Sequence, residues 1–268
     1  MNTAAVEPRG VELTVRGLRK VIGDDTEILR DVNFQVHRGE FVALLGASGA
    51  GKSLTLRCLL GLSGATGGQV CFRDAEGDEH QLLGLRGREL RETRRRLGVI
   101  FQGGHLVRRL TALENVMIGR LGQVSPLRAW LYGFSDDDAR EAYAVLERCQ
   151  IADLAHRITG SLSGGEMQRV AIARAIHQDP DLFLADEPVS SLDPANARMI
   201  MELLRPLADQ RAVLGVFHQP ELVARYCTRA VAIRDGRVCY DGPAALPEQV
   251  LRDIYGDELA ELTAASAA

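Results

Sequence analysis

The sequence predicts an α/β fold organised on a mostly parallel sheet, and three observations predict it. Short, uninterrupted apolar runs at 41–45, 97–101, 182–185 and 213–217 read as strands buried on both faces, as a parallel sheet requires. The first run passes through a glycine-rich turn into Leu54, Leu56, Leu59 and Leu60, which recur at helical spacing. Ahead of it, residues 11–18 and 28–36 alternate loosely between apolar and polar, the pattern of an antiparallel sheet. At 268 residues the chain can bury a large core, as one α/β domain or as one domain with an inserted lobe.

Taken in order, the chain turns at 41–45 into Gly46-Ala47-Ser48-Gly49-Ala50-Gly51-Lys52-Ser53. Strand, then Gly-x-x-x-x-Gly-Lys-Ser, then helix is the context of a phosphate-binding loop. Glycines let successive backbone N–H groups converge on one point, and the following helix N-terminus adds partial positive charge. Lys52 can reach terminal phosphates and the Ser53 hydroxyl can ligate Mg²⁺, so this stretch reads as a nucleoside-triphosphate site. Residues 61–68 read as a loop and 69–73 as a short strand. The arginine-rich stretch 86–96, with Glu89 and Glu92 interleaved, reads as a solvated helix face, the other reading being contact with acidic lipid or a partner.

The run 97–101 ends at Gln102. From 103 to 160 the pattern turns helical, clearest at 136–149, as expected of an inserted helical lobe. Leu127, Trp130, Leu131, Tyr132 and Phe134 cluster there, as lobe core or as a groove for another protein's helix. The run 182–185 closes on Asp186-Glu187-Pro188, and 213–217 on His218. Residues 230–240 read as a hairpin about Asp235-Gly236, and the alanine-rich tail after Glu261 as a frayed end.

Composition narrows the function classes. A net charge of −4 and a pI of about 5.9 argue against a broad nucleic-acid surface. Five cysteines, scattered and without a Cys-x-x-Cys pair, suit a reducing compartment rather than a disulfide framework or a zinc site. No apolar run approaches the length of a bilayer span and none at the start resembles a signal peptide, so the expectation is a soluble protein, or one held at a membrane by a partner.

Two further stretches carry chemistry. Adjacent carboxylates at the end of a strand beside a phosphate loop have a use: Asp186 can hold Mg²⁺ through its waters, and Glu187 can take a proton from water attacking the γ-phosphate. Leu162-Ser163-Gly164-Gly165-Glu166 sets Ser163 and Glu166 in capping-box spacing before Val170, Ala171, Ile172 and Ile176. A capped helix needs no ligand, but two glycines in its first turn weaken it by roughly 1 kcal/mol each. They suit close approach of another group to the backbone, and an anion is favoured there.

The set Gly46 to Ser53, Gln102, Leu162 to Glu166, Asp186-Glu187, Ser191-Leu192-Asp193 and His218, in this order, resembles the ATP-binding subunit of an ABC transporter over residues 11 to about 245. The resemblance implies a P-loop NTPase, RecA-like core with a mostly parallel sheet, an N-terminal antiparallel β subdomain and a helical subdomain inserted at about 103–163; 246–268 would form a C-terminal helix and tail. It implies ATP and Mg²⁺ as ligands and a head-to-tail dimer, in which Ser163, Gly164, Gly165 and Glu166 of one copy complete the ATP site on the other's phosphate loop. Gln102 would touch Mg²⁺ and the attacking water and sense the membrane partner. Asp193 would link the two sites, and His218 would hydrogen-bond the γ-phosphate.

Glu114-Asn115-Val116, the Trp130 segment, His218-Gln219, Asp241-Gly242-Pro243 and Ile254-Tyr255-Gly256 are similar to the phosphonate-import subfamily. That implies a permease and an extracytoplasmic binding protein as partners, no nucleic acid, and a peripheral place on the cytoplasmic face of the plasma membrane. The chain departs from the family in two places. Ile22 stands where the family has an aromatic that stacks on adenine, and Leu54 where it commonly has a second hydroxyl on phosphate; the resemblance implies weaker ATP binding from both, with the chemistry untouched. The competing readings are a soluble ABC-type ATPase of nucleic-acid repair or translation, and an export or lipoprotein-release ATPase. The repair reading expects a long coiled coil or a basic face, and neither is present in the sequence.

Overall fold

The computed structural model describes residues 9–256, except 24 and 124–133. Two sheets frame it. Strands β1 (Arg9–Ile22) and β2 (Thr26–Arg38) form the long antiparallel pair, joined by β4 (Gly67–Arg73) and β5 (Glu79–Gln81) in the order β2-β1-β4-β5. The second sheet has the order β10-β9-β3-β8-β7-β6. In it β3 (Phe41–Leu45), β6 (Leu97–Phe101), β7 (Leu182–Asp186), β8 (Ala212–Val216) and β9 (Arg229–Arg234) run parallel, and β10 (Arg237–Pro243) closes an antiparallel edge.

The physical reason follows from the sequence runs. Strands β3, β7 and β8 are buried at every position, so each must be covered on both faces. One face packs with the antiparallel sheet and α1 (Lys52–Leu59) around Val42, Leu44, Leu184 and Leu214. The other packs with α3 (Ala112–Met117), α4 (Asp136–Arg148), α5 (Gly164–His177) and α6 (Pro194–Leu204) around Phe41, Phe183 and Phe217. A buried side chain of this size contributes about 1.5–3 kcal/mol.

Some of the structure was not foreseen. Strand β5, α6 and α7 (Pro220–Tyr226) had no counterpart in the pattern reading; α8 (Glu248–Tyr255) falls where a C-terminal helix was expected. The arginine-rich stretch forms α2 (Gly87–Arg95), but it is not merely a solvated face. Arg94 donates to the carbonyls of Leu60 and Gly61, and Arg96 reaches Asp74, Glu76 and Asp181, tying α2 to both sheets. Leu127, Trp130, Leu131 and Tyr132 lie outside the described residues, as does the tail; Phe134 packs against the core.

Glu12 is a titratable weak point between the sheets. Burial pushes its carboxyl up to about 7, against the opposing pull of Arg38 at 2.8 Å, and its Oε2 has no hydrogen-bond partner. A carboxyl raised above its unfolded value adds stability that is complete below about pH 4.5 and lost as pH rises through about 7. Glu12→Gln, which stays neutral, is therefore expected to gain about 1–2 kcal/mol over the parent at pH 8 and nothing at pH 4.5. Thermal unfolding of both proteins across that range measures it.

Candidate functional site

The carboxyl ends of four neighbouring strands, in the order β3, β8, β7, β6, bring the predicted residues together. Leu44 pairs with Val216, Val216 with Asp186, and Asp186 with Phe101. One residue beyond this line on β7 and β6, and two beyond it on β3 and β8, the chain presents Glu187, Gln102, Gly46 and His218 along one sheet edge, where open α/β sheets form their ligand crevices.

At β3 the loop depends on glycine. Gly46 (φ +153°), Gly49 (φ +77°) and Gly51 (φ +102°) hold conformations that side chains rarely adopt. A Cβ on Gly46 would lie 2.3 Å from the Ile233 carbonyl oxygen, and one on Gly51 would lie 2.6 Å from Leu29. Gly49 has open space beside it, and Ser48 is exposed. Lys52 is buried at the start of α1 and donates to the carbonyls of Gly46 (2.8 Å) and Ala47 (2.9 Å), so its ammonium lies within the turn. Ser53 follows it, half-buried; Leu54 packs toward the core, and the neighbouring Thr55 hydroxyl is spent on the Gly51 carbonyl. Ala50 closes the turn on Ala47.

At β7, Asp186 is buried and its Oδ1 has no hydrogen-bond partner. An orphaned carboxylate oxygen in such a place is costly unless a cation or its water meets it. Glu187 is held in the left-handed region (φ +50°), a strain that concentrates at functional positions. Its Oε1 lies 2.7 Å from Nε2 of His218. The structure thus pairs two residues that the sequence had placed separately, one on water and one on phosphate. Gln102 is exposed, in a loop gripped from behind by Arg174.

Ser163 and Glu166 form the predicted capping box on α5: the Ser163 hydroxyl accepts from the Glu166 amide, and the Glu166 carboxylate accepts from the Ser163 amide and hydroxyl. Those bonds hold the Glu166 carboxyl below the usual carboxylate range. Gly165 lies against Asn196 of α6, whose Oδ1 is 2.7 Å from where a Cβ would stand. Only Gly164 is open, its nearest neighbour being Leu192 at 3.9 Å. Asp193 caps α6 through the amides of Ala195 and Asn196 and also accepts from the Asn196 side chain. Asn196 was missed by sequence reasoning; its only signal was the three-residue spacing from Asp193.

Ile22 is half exposed at the tip of the β1–β2 hairpin. Among the described residues no helix is long and apolar enough to cross a membrane.

This edge, with a phosphate loop, a carboxylate pair and a separate glycine-opened helix tip, defines a nucleotide-binding cassette. The family model described as ABC transporter matches residues 29–190, and the chain belongs to that family. Its curated relatives include the phosphonates import ATP-binding protein PhnC of Stutzerimonas stutzeri, 45% identical over 239 residues that cover 87% of this chain and 86% of that protein. PhnC of Nitratidesulfovibrio vulgaris is 43% identical over 249 residues, covering 92% of each. Among solved structures, a dimeric ATP-binding cassette in a post-hydrolysis state with ADP and Pi bound is 31% identical at a TM-score of 0.74, covering 87% of this chain and 98% of that one. A cassette in its ADP conformation, at 24% identity, TM-score 0.77 and 95% and 99% coverage, shares the fold.

Proposed function

We propose that this cassette is the ATP-hydrolysing subunit of an importer for a phosphonate or related oxyanion, working as a head-to-tail pair with a second copy of itself beneath a membrane permease. The observation that carries the motor part is the single sheet edge that gathers Gly46 to Ser53, His218, Asp186-Glu187 and Gln102. The likeness to phosphonates import proteins over most of the chain carries the substrate class. Residues 11–245 form the ATPase unit in this reading, with about 103–163 as its helical subdomain and 246–268 as an appendage.

The residues present fit a divalent cation. The unpartnered Oδ1 of Asp186 is the donor that such an ion or its water would meet. Ser53, Gln102 and Asp186 would hold Mg²⁺, which when bound neutralises charge on the β- and γ-phosphate oxygens. Backbone N–H groups of Gly46 to Gly51 cradle the phosphates, and Lys52 turns from the loop carbonyls to meet them. Glu187 accepts a proton from the attacking water, while His218 fixes its carboxylate and stands beside the γ-phosphate. Ser163 and Gly165, with Gly164 and Glu166 beside them, complete the nucleotide site on the partner copy, and Asp193, at the head of α6, lies toward the same seam. Closure of the pair on ATP drives the permease, and hydrolysis reopens it. Such a subunit sits on the cytoplasmic face of the plasma membrane, held there by the permease, with an extracytoplasmic binding protein delivering the solute.

Ile22 gives a prediction of its own. Base–aromatic stacking is worth roughly 1–3 kcal/mol, so Ile22→Tyr should tighten ATP binding about tenfold. Equilibrium titration with ATP decides it, and unchanged affinity rejects the stacking role.

The experiment for the whole reading is co-purification with the permease, reconstitution in liposomes with the binding protein, and a screen of oxyanions for stimulated ATPase. Phosphonates should stimulate. Stimulation only by an unrelated solute removes the substrate class and leaves the motor; absence of any ATPase removes both.

A further inference from the structure

The loop that carries Gln102 is held by the same helix that presents Ser163. On the side of the loop facing α5, Arg174 donates from Nη2 to the Gly104 carbonyl (2.9 Å) and from Nη1 to the His105 carbonyl (3.0 Å). On the other side of Gln102, the Gln168 amide reaches the Phe101 carbonyl at 3.4 Å. Gly104 is where loop and helix touch: at φ +74° it leaves a space in which a Cβ would stand 3.2 Å from both the Ala171 side chain and the Met167 carbonyl. His105 follows in the left-handed region (φ +45°), its ring stacked on Phe101 at 4.9 Å between centroids. The Arg174 side chain is half-buried, and burial lowers the pKa of its guanidinium from the ordinary value. Two backbone carbonyls are its partners, and a planar fork is the group that can take both at once.

We infer that Arg174 is a positioning residue for Gln102, clasping the Gln102 loop to α5 so that this loop and the Ser163 tip move as one body. The inference rests on the proposed ATPase reading and extends it. Eleven residues of helix separate Ser163 from Arg174, about 16 Å at 1.5 Å per residue, so α5 acts as a short rigid lever. A shift of Gln102 on its own nucleotide is carried through the two carbonyls to the tip offered to the other copy.

The test is a double-mutant cycle on the reconstituted transporter, using Arg174→Met, Gln102→Ala and the pair, with kcat and KM for MgATP measured separately. Arg174→Met should lower kcat about tenfold and move KM less than about threefold, because the nucleotide contacts remain while the loop is misplaced. In the Gln102→Ala background the same change should cost less than about twofold, since the residue it positions is gone. Arg174→Lys, which keeps the charge but not the fork, should fall between. Gly104→Ala disturbs the same contact from the loop side; if Arg174→Met does not fold, it serves in the cycle and should show the same non-additive loss. Equal losses in both backgrounds, or an unchanged kcat, overturn the inference while leaving the ATPase reading in place. An inactive parent overturns that reading and takes the inference with it.

Discussion

Glu187→Gln is expected to lower kcat for ATP hydrolysis by about 10²–10⁴-fold, the span that a positioned general base contributes. The amide keeps the shape of the side chain and can still meet His218, but it cannot take the water's proton. The His218 contact at 2.7 Å and the left-handed backbone at Glu187 fix the carboxylate in one place, so no neighbouring group substitutes for it. Asp186, one residue earlier, is buried, and its free oxygen is the one assigned to the cation. Affinity for MgATP should change by less than about threefold, because a residue acting only in the transition state contributes little to the ground state. Single-turnover phosphate release beside equilibrium ATP titration separates the two effects. A kcat within a factor of about ten of the parent would remove Glu187 from the proton transfer.

The second large effect is expected of Lys52→Ala, which should weaken ATP binding about 30–100-fold. Charge-assisted hydrogen bonds to phosphate are worth roughly 1.5–3 kcal/mol, and the loop has no other cation. The side chain has a second task when no phosphate is present. Its bonds to the carbonyls of Gly46 and Ala47 hold the turn in the shape that its glycines permit. Loss of Lys52 should therefore also lower the melting temperature of the nucleotide-free protein, a change that removal of a solvent-exposed lysine would not produce. Titration with ATP and a melting curve without it test the two roles independently.

How much of this was legible in the sequence depended on whether the cause was local. The strand–loop–helix at 41–59 was readable because a strand buried on both faces leaves an unbroken apolar run, and because Gly46 and Gly51 stand where any Cβ would collide. The hairpin at Asp235-Gly236 and the capping box at Ser163–Glu166 were readable for the same reason, since each is set by residues within a few positions. The partners that hold the site were not. The neighbour of Gly165 is Asn196, which reaches it from another helix. Arg96 was counted among solvated arginines, although it clamps Asp181, 85 residues away. His218 and Glu187 were assigned separate tasks, and only the side-by-side placement of β7 and β8 shows them bonded. Contacts of this kind are fixed by sheet order, which one-dimensional periodicity does not record.

The central claim is that each copy lends its helix tip to the nucleotide held on the other's lysine-bearing loop. Cysteine crosslinking between copies tests it most directly, with Ser48→Cys and Ser163→Cys combined in the Glu187→Gln protein. The account predicts a covalent dimer that forms with ATP and magnesium, not without them, and not in either single variant. Efficient ATP binding by the double variant with no crosslink between copies, in a parent that turns over normally, would contradict it.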